Sequence, residues 1–186
     1  MFDDLIAGGT VIDGTGEERI RADLAIKDGK IAAFGNLTGA AAKRSIDASG
    51  KLVTPGFLEI LAGGMISPEL CAEALLRGIT TIAAEGEAAE EQDWPVNLVL
   101  LSELPAKAED ADEGLPEKAV RGRTAVPAAV LGLAEKGKLI PGLDADLCIF
   151  ASEPAKAAPE IVMVGGVIAV QDGEATGCKG GKLLCK

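Results

Sequence analysis

Histidine and tyrosine are absent from this chain, and aromatic residues make up only 3% of it. Without an imidazole, Ser-His and Cys-His nucleophilic pairs are excluded, and the commonest nitrogen ligand for zinc is gone. Cysteine is sparse. Cys71, Cys148, Cys178 and Cys185 contain no Cys-X-X-Cys pair, which argues against a redox motif or a zinc knuckle. They read as reduced thiols, although the Gly-rich stretch from Cys178 to Cys185 has the flexibility to close a disulfide. Basic residues are also few, 18 against 29 acids, for a net charge of -11. That balance argues against nucleic acid as a partner, because its backbone is held by clustered Lys and Arg. No apolar run reaches the ~20 residues needed to span a bilayer. Met1-Phe2-Asp3-Asp4 places acids where a signal peptide carries positive charge. No membrane partner is expected, and a cytoplasmic location is the default.

What is abundant is apolar residue and glycine: 48% and 24 residues in a chain of 186. This suffices for a core without metal or disulfide staples. Residues 4–12 form two apolar runs about Gly8-Gly9, read as a hairpin turn. Leu24 and Ile26 alternate into Asp28-Gly29, a type I′ turn pair, and Ile31 and Phe34 continue beyond it. Short strands at 45–48 and 52–54 complete a meander of antiparallel strands over residues 1–57. The same grammar returns late in the chain. Ile161 to Val164, Gly165-Gly166 and Val167 to Val170 read as a second hairpin, a pseudo-repeat of the first. Before it, residues 137–150 read as a strand, a Pro141-Gly142 turn and a buried strand Leu147 to Phe150. None of the Gly-Gly pairs, including Gly63-Gly64, has a phosphate-loop pattern.

Two stretches carry a family likeness. Ile46 to Gly64, with Pro55-Gly56-Phe57-Leu58-Glu59 at its centre, resembles the entry into the first barrel strand of amidohydrolases of the dihydroorotase, hydantoinase and D-aminoacylase group. Thr124 to Phe150, ending in Gly142-Leu143-Asp144-Ala145-Asp146-Leu147, is similar to the C-terminal signature of the same family. The resemblance implies a composite β-sandwich built from both chain ends, and it places Asp144 and Asp146 in turn and strand-entry hydrogen bonding. It also implies His-X-His metal ligands after the Pro-Gly-Phe, but those two positions read Leu61 and Gly63.

Residues 58–121 leave room for at most two of the eight β/α units, roughly 30 residues each, that close a barrel. The first unit is legible. A strand from Phe57 to Leu61 precedes a helix with Ser67 as N-cap, Pro68 in its first position, Leu70, Cys71, Ala74 and Leu75 on one face and Gly78 as its stop. Ile79 to Ala83 is the next strand, and Val96 to Leu101 a third. An acidic loop over 85–93 joins these two, and 107–118 reads as a solvated linker.

The expected fold is therefore mainly β (α+β): an amidohydrolase-type sandwich of 1–57 plus 122–186, with a truncated α/β remnant at 58–121 in place of the barrel. The family's zinc or other divalent metal is not expected, and no catalytic residue is assigned. Glu59, Glu85 and Glu87 are the weak carboxylate candidates, since hard cations accept oxygen ligands. The favoured reading makes them a solvated loop and a strand residue without a role. Trp94 reads as a cover over a small core. The expectation for function is a catalytically degenerate, non-hydrolytic binding or scaffold module. It would self-associate through Leu58, Ile60, Ile79, Ile82, Val96, Leu98 and Leu100, because a stub of sheet leaves edges and an apolar face to cover. The alternative is a hydrolase of non-peptide carbon–nitrogen bonds such as N-acyl-D-amino acids or cyclic amides, with activity either intrinsic through an unrecognised carboxylate site or completed by another chain.

Overall fold

The computed structural model describes residues 1–62, 66–85, 94–101, 116–151 and 157–184. Its larger sheet takes strands from both ends of the chain: β1 (Phe2–Val11), β2 (Ile20–Lys27), β3 (Lys30–Gly35), β4 (Ala42–Asp47), β5 (Leu52–Pro55), β9 (Leu147–Phe150), β10 (Ile161–Val164), β11 (Val167–Gln171) and β12 (Glu174–Ala175). The order is β12-β11-β10-β9-β5-β1-β2-β3, with β4 beside β1. A second, four-stranded sheet runs β13-β8-β7-β6, from β6 (Phe57–Leu61), β7 (Ile79–Glu85), β8 (Asn97–Leu101) and β13 (Leu183–Leu184). The protein is mostly β, and among the described residues neither sheet closes into a barrel.

Side-chain alternation explains the layering. In β9, Leu147 and Ile149 join a core with Ile6, Leu24, Ile26 and Ile31, while Cys148 and Phe150 join another with Leu75, Ile82 and Leu98. Because successive strand residues point to opposite faces, β9 and β10 are a middle layer, buried on both sides. That is why LCIF and IVMV read as unbroken apolar runs. The larger sheet curls so that β1, β2 and β3 cover one of its faces, and the smaller sheet with α1 (Pro68–Leu76) covers the other.

Three two-residue turns have both residues at positive φ, as type I′ requires: Asp28-Gly29, Gly165-Gly166 and Asp172-Gly173. Gly8-Gly9 is different. β1 is one continuous strand, and the pair marks a register shift against β2, with Gly8 at φ +72°. The expected first hairpin is thus a bulge, which glycine accommodates without a Cβ penalty. Nor is the N-terminal region a simple antiparallel meander, because β1 pairs in parallel with both β4 and β5. The strand expected before Pro141 also fails to form. Leu139 N–H donates to Asp13, Gly142 N–H to Ile31 and Ile31 N–H to Leu143, so this segment spends its backbone bonds on the β2–β3 hairpin and the loop before it.

β6, α1 and β7 form the expected unit, with β6, β7 and β8 parallel. Ser67 accepts from Leu70 N–H at 3.2 Å, and Cys71, Ala74 and Leu75 are buried, but Leu70 faces solvent. Two further helices, α2 (Pro116–Arg123) and α3 (Ala125–Val130), return to pack on β6. Trp94 is buried in the α1-side core. No helix among the described residues is long and apolar enough to cross a membrane.

Candidate functional site

The strand ends of the smaller sheet are where the family resemblance puts its chemistry. Register aligns Glu59 with Ile82 and Leu98, and Leu61 with Ala84 and Leu100. This face packs against α1, and Leu61 is a partly buried member of its apolar cluster. Glu85 pairs with Leu101 on the opposite face, whose cluster holds Ala83 and Val99 with Ala128 and Leu131 of α3. Glu59 and Glu85 therefore lie on opposite sides of the sheet and share no site. The nearest cation to Glu59 is Arg77, its Nη2 4.0 Å from Oε1. Gly63, Glu87 and Cys185 lie outside the described residues, as does most of the acidic loop and linker.

A divalent metal of the kind the resemblance implies does not fit the side chains at this strand end. Leu61 offers no donor, the chain has no histidine, and no group of three His, Cys, Asp or Glu residues is placed to hold an ion among the described residues.

The association surface expected from sequence needs correction. Ile79, Ile82, Val96 and Leu98 are at most 1% exposed and Leu58 8%, while Ile60 and Leu100 are half-buried. The chain covers these residues itself, with α1 on one face and α3 on the other. Sequence reading placed no element over the second face, because α3 lies far along the chain beyond the acidic stretch.

Polar residues gather instead where the two sheets meet. The Asp146 carboxylate, 5% exposed at the start of β9, accepts from Lys136 Nζ (2.6 Å) and Asn97 Nδ2 (2.9 Å) through Oδ2, and from Gly165 N–H (2.7 Å) through Oδ1. Asn97 on β8 also donates to Thr80 O at 3.2 Å and accepts from Lys182 N–H at 3.3 Å. Asp146 O accepts from Gly56 N–H, the hinge between β5 and β6. Lys136, equally buried, reaches Asp144 at 3.0 Å, and Lys30 links Asp144 to Glu135. Burial pushes the Asp144 carboxyl upward, but the Lys136 and Lys30 ammonium groups overcome this and hold it below the usual carboxylate range. Asp144 and Glu135 in turn raise Lys30.

Three other segments thus donate to the Asp146 carboxylate, and the buried charge is paired as low-dielectric surroundings demand. The sequence reading placed Asp144 and Asp146 in turn and strand-entry bonding; Asp146, at the start of β9, accepts from a turn N–H, whereas the Asp144 carboxylate pairs with Lys136 and Lys30. Lys136, Lys30 and Asn97 were missed. Their signal in the sequence is faint: a lysine inside an otherwise tightly packed turn, and an asparagine opening an apolar strand.

Elsewhere, Arg19 pairs with Glu117 at 2.5 Å and holds that carboxyl below its ordinary range. The Arg123 guanidinium lies 5.1 Å from the Phe57 ring centroid. Burial raises the Cys148 thiol far above its ordinary range, and the Cys71 thiol to about 11. Both are poor nucleophiles.

Comparison with known proteins agrees with this architecture. No family model matches the chain. A D-aminoacylase from Alcaligenes xylosoxydans xylosoxydans is 50% identical over 58 residues, 31% of this chain and 12% of that protein. An Escherichia coli allantoinase is 37% identical over 131 residues, 70% of this chain and 27% of the relative. The chain thus spans about an eighth to a quarter of the curated relatives it matches. Among solved structures, an N-acyl-D-glutamate deacylase from Bordetella bronchiseptica, complexed with zinc and a phosphonate inhibitor, superposes with a TM-score of 0.74 at 16% identity. That alignment covers 98% of this chain and 99% of the other. A D-hydantoinase from a Thermus species gives the same TM-score at 13% identity, covering 97% and 98%. The chain is a relative of the amidohydrolases by sequence and by fold.

Proposed function

We propose that this chain is a non-hydrolytic amidohydrolase relative that works as a binding or scaffold module. The observation that carries the reading is the strand end at Leu61. In a chain without histidine, the position that the family resemblance gives to a metal ligand is packed into an apolar cluster with Ile82, Ala84 and Leu98. Glu59 and Glu85, on opposite faces, cannot act as a carboxylate pair on one substrate. Hydrolysis through a metal-bound hydroxide needs an ion held with an open position, and these side chains offer no such seat.

The test is to load the purified chain with zinc, remove free ion, measure zinc per chain, and assay release of product from N-acyl-D-glutamate and from allantoin. Substoichiometric zinc and no turnover above the blank are expected. Zinc-dependent turnover by the chain alone overturns the reading.

One observation favours a second reading, a carbon–nitrogen hydrolase completed by another chain. β6 has only β7 as a strand neighbour among the described residues, so one edge of the parallel sheet is open to added strands, whereas β13 closes the other. Recovery of turnover only on mixing with a second protein supports that version.

A further inference from the structure

Between α1 and the C-terminal tail lies a cavity of about 160 Å³. Leu75 of α1, Trp94 and Pro95 ahead of β8, and Ala169 of β11 wall it, while the exposed Cys178 and Lys179 form its rim. The rim is pinned at both ends. Thr176 N–H donates to Ala169 O and Gly181 N–H to Trp94 O, both at 2.9 Å, so the tail is stretched across the cleft in a fixed path. A cavity of about 150 Å³ with apolar walls is large enough to admit benzene.

Charge at the rim is distinctive. Among the described residues, the lining carries one charged side chain, the Lys179 ammonium, and no carboxylate, in a chain where acids outnumber bases 29 to 18. Predominantly apolar walls with a few polar groups are the usual make-up of a small-molecule site, and here the charge at the opening is that of the exposed Lys179. We propose that this cavity binds a small carboxylate with an aromatic or branched aliphatic body, the body against Trp94 and Leu75 and the carboxylate at Lys179. Leu61 is not among the residues that line the cavity, and the proposal is independent of whether the chain hydrolyses anything.

Trp94 is the chain's one tryptophan and walls this cavity, so a ligand seated there should change the emission. Titration with benzoate should give a saturating emission change in the millimolar range. Benzylamine should bind more weakly than benzoate. Lys179→Gln should weaken benzoate about two- to five-fold, as loss of an exposed charge pair implies, and leave benzyl alcohol unaffected. Ala72→Leu, which fills the cavity from α1, should abolish binding of all three. Should that variant fail to fold, saturating benzoate should still slow alkylation of Cys178 by iodoacetamide in the unaltered chain, read by peptide mapping. A non-saturating emission change or unaltered Cys178 labelling overturns the site. Equal binding of benzylamine and benzoate overturns the anion assignment.

Discussion

The junction of the two sheets and the strand ends of the parallel sheet are both places where a polar side chain loses water, and the chain treats them oppositely. At the junction it buries Lys136, Asp146 and Asn97 and satisfies them with one another and with backbone groups. At the strand end it places Leu61 and lets apolar neighbours close around it. Buried charge survives where every partner is supplied by rigid elements. Among the described residues, the buried polar network thus links the two sheets, while the strand end where the family likeness places catalysis carries a partly buried leucine packed on apolar neighbours.

The largest expected effect breaks the junction. Asp146→Ala leaves the Gly165 N–H and Asn97 Nδ2 short of an acceptor and Lys136 with one carboxylate, which should cost about 3–5 kcal/mol in urea unfolding. The double variant Lys136→Met with Asp146→Leu should be less destabilised than the Asp146→Ala single change, because no uncompensated charge remains. If the two changes simply add, the network is not a coupled unit.

Next comes the hinge at Gly56. A Cβ there would lie 2.2 Å from Thr80 Oγ1 and 2.7 Å from Thr80 Cβ. Gly56→Ala should destabilise by about 1–3 kcal/mol, and adding Thr80→Gly should restore part of the loss. Unchanged thermal unfolding in Gly56→Ala would show that the sheets can part slightly without penalty.

A smaller effect is set by acid. Asp144 and Glu117 both have folded-state values held below the ordinary carboxylate range. Their contribution is complete above that range and disappears as pH falls through the lowered values. Asp144→Asn should therefore lower stability at neutral pH and flatten its further loss below pH ~4. An unchanged acid limb in the denaturation profile would contradict the lysine pairing.

The smallest effect has the opposite sign. Thr81 Oγ1 and Thr80 Oγ1 are buried with no hydrogen-bond partner among the described residues. Thr81→Val keeps the shape and removes an orphaned hydroxyl, so it should be neutral or stabilising by up to about 1 kcal/mol. A clear destabilisation would mean that the hydroxyl has a partner, such as a buried water.

Much of this could be read from the chain before its fold. Asp28-Gly29 and Gly165-Gly166 announced their turns because positive φ at two successive positions has few solutions in sequence. Ser67-Pro68 announced α1 for a similar reason, since a side-chain cap and a fixed φ are local properties. Gly8-Gly9 misled, because glycine serves a bulge as readily as a turn, and only the partner strand β2 distinguishes them. The apolar residues of β6 to β8 were legible as apolar but not as covered, since α3 reaches them from beyond the acidic stretch.

By itself, then, the sequence determined the short-range features: turn chemistry, the helix cap, the alternation of apolar residues, the missing imidazole. These depend on a residue and its near neighbours. Only the tertiary structure decided the strand order within each sheet, that Glu59 and Glu85 face away from each other, and that Lys136, Asp146 and Asn97 meet. Those outcomes rest on contacts between segments far apart in the chain, where the side chain that satisfies a buried charge is chosen by the packing of whole layers and leaves only a faint mark on the sequence around it.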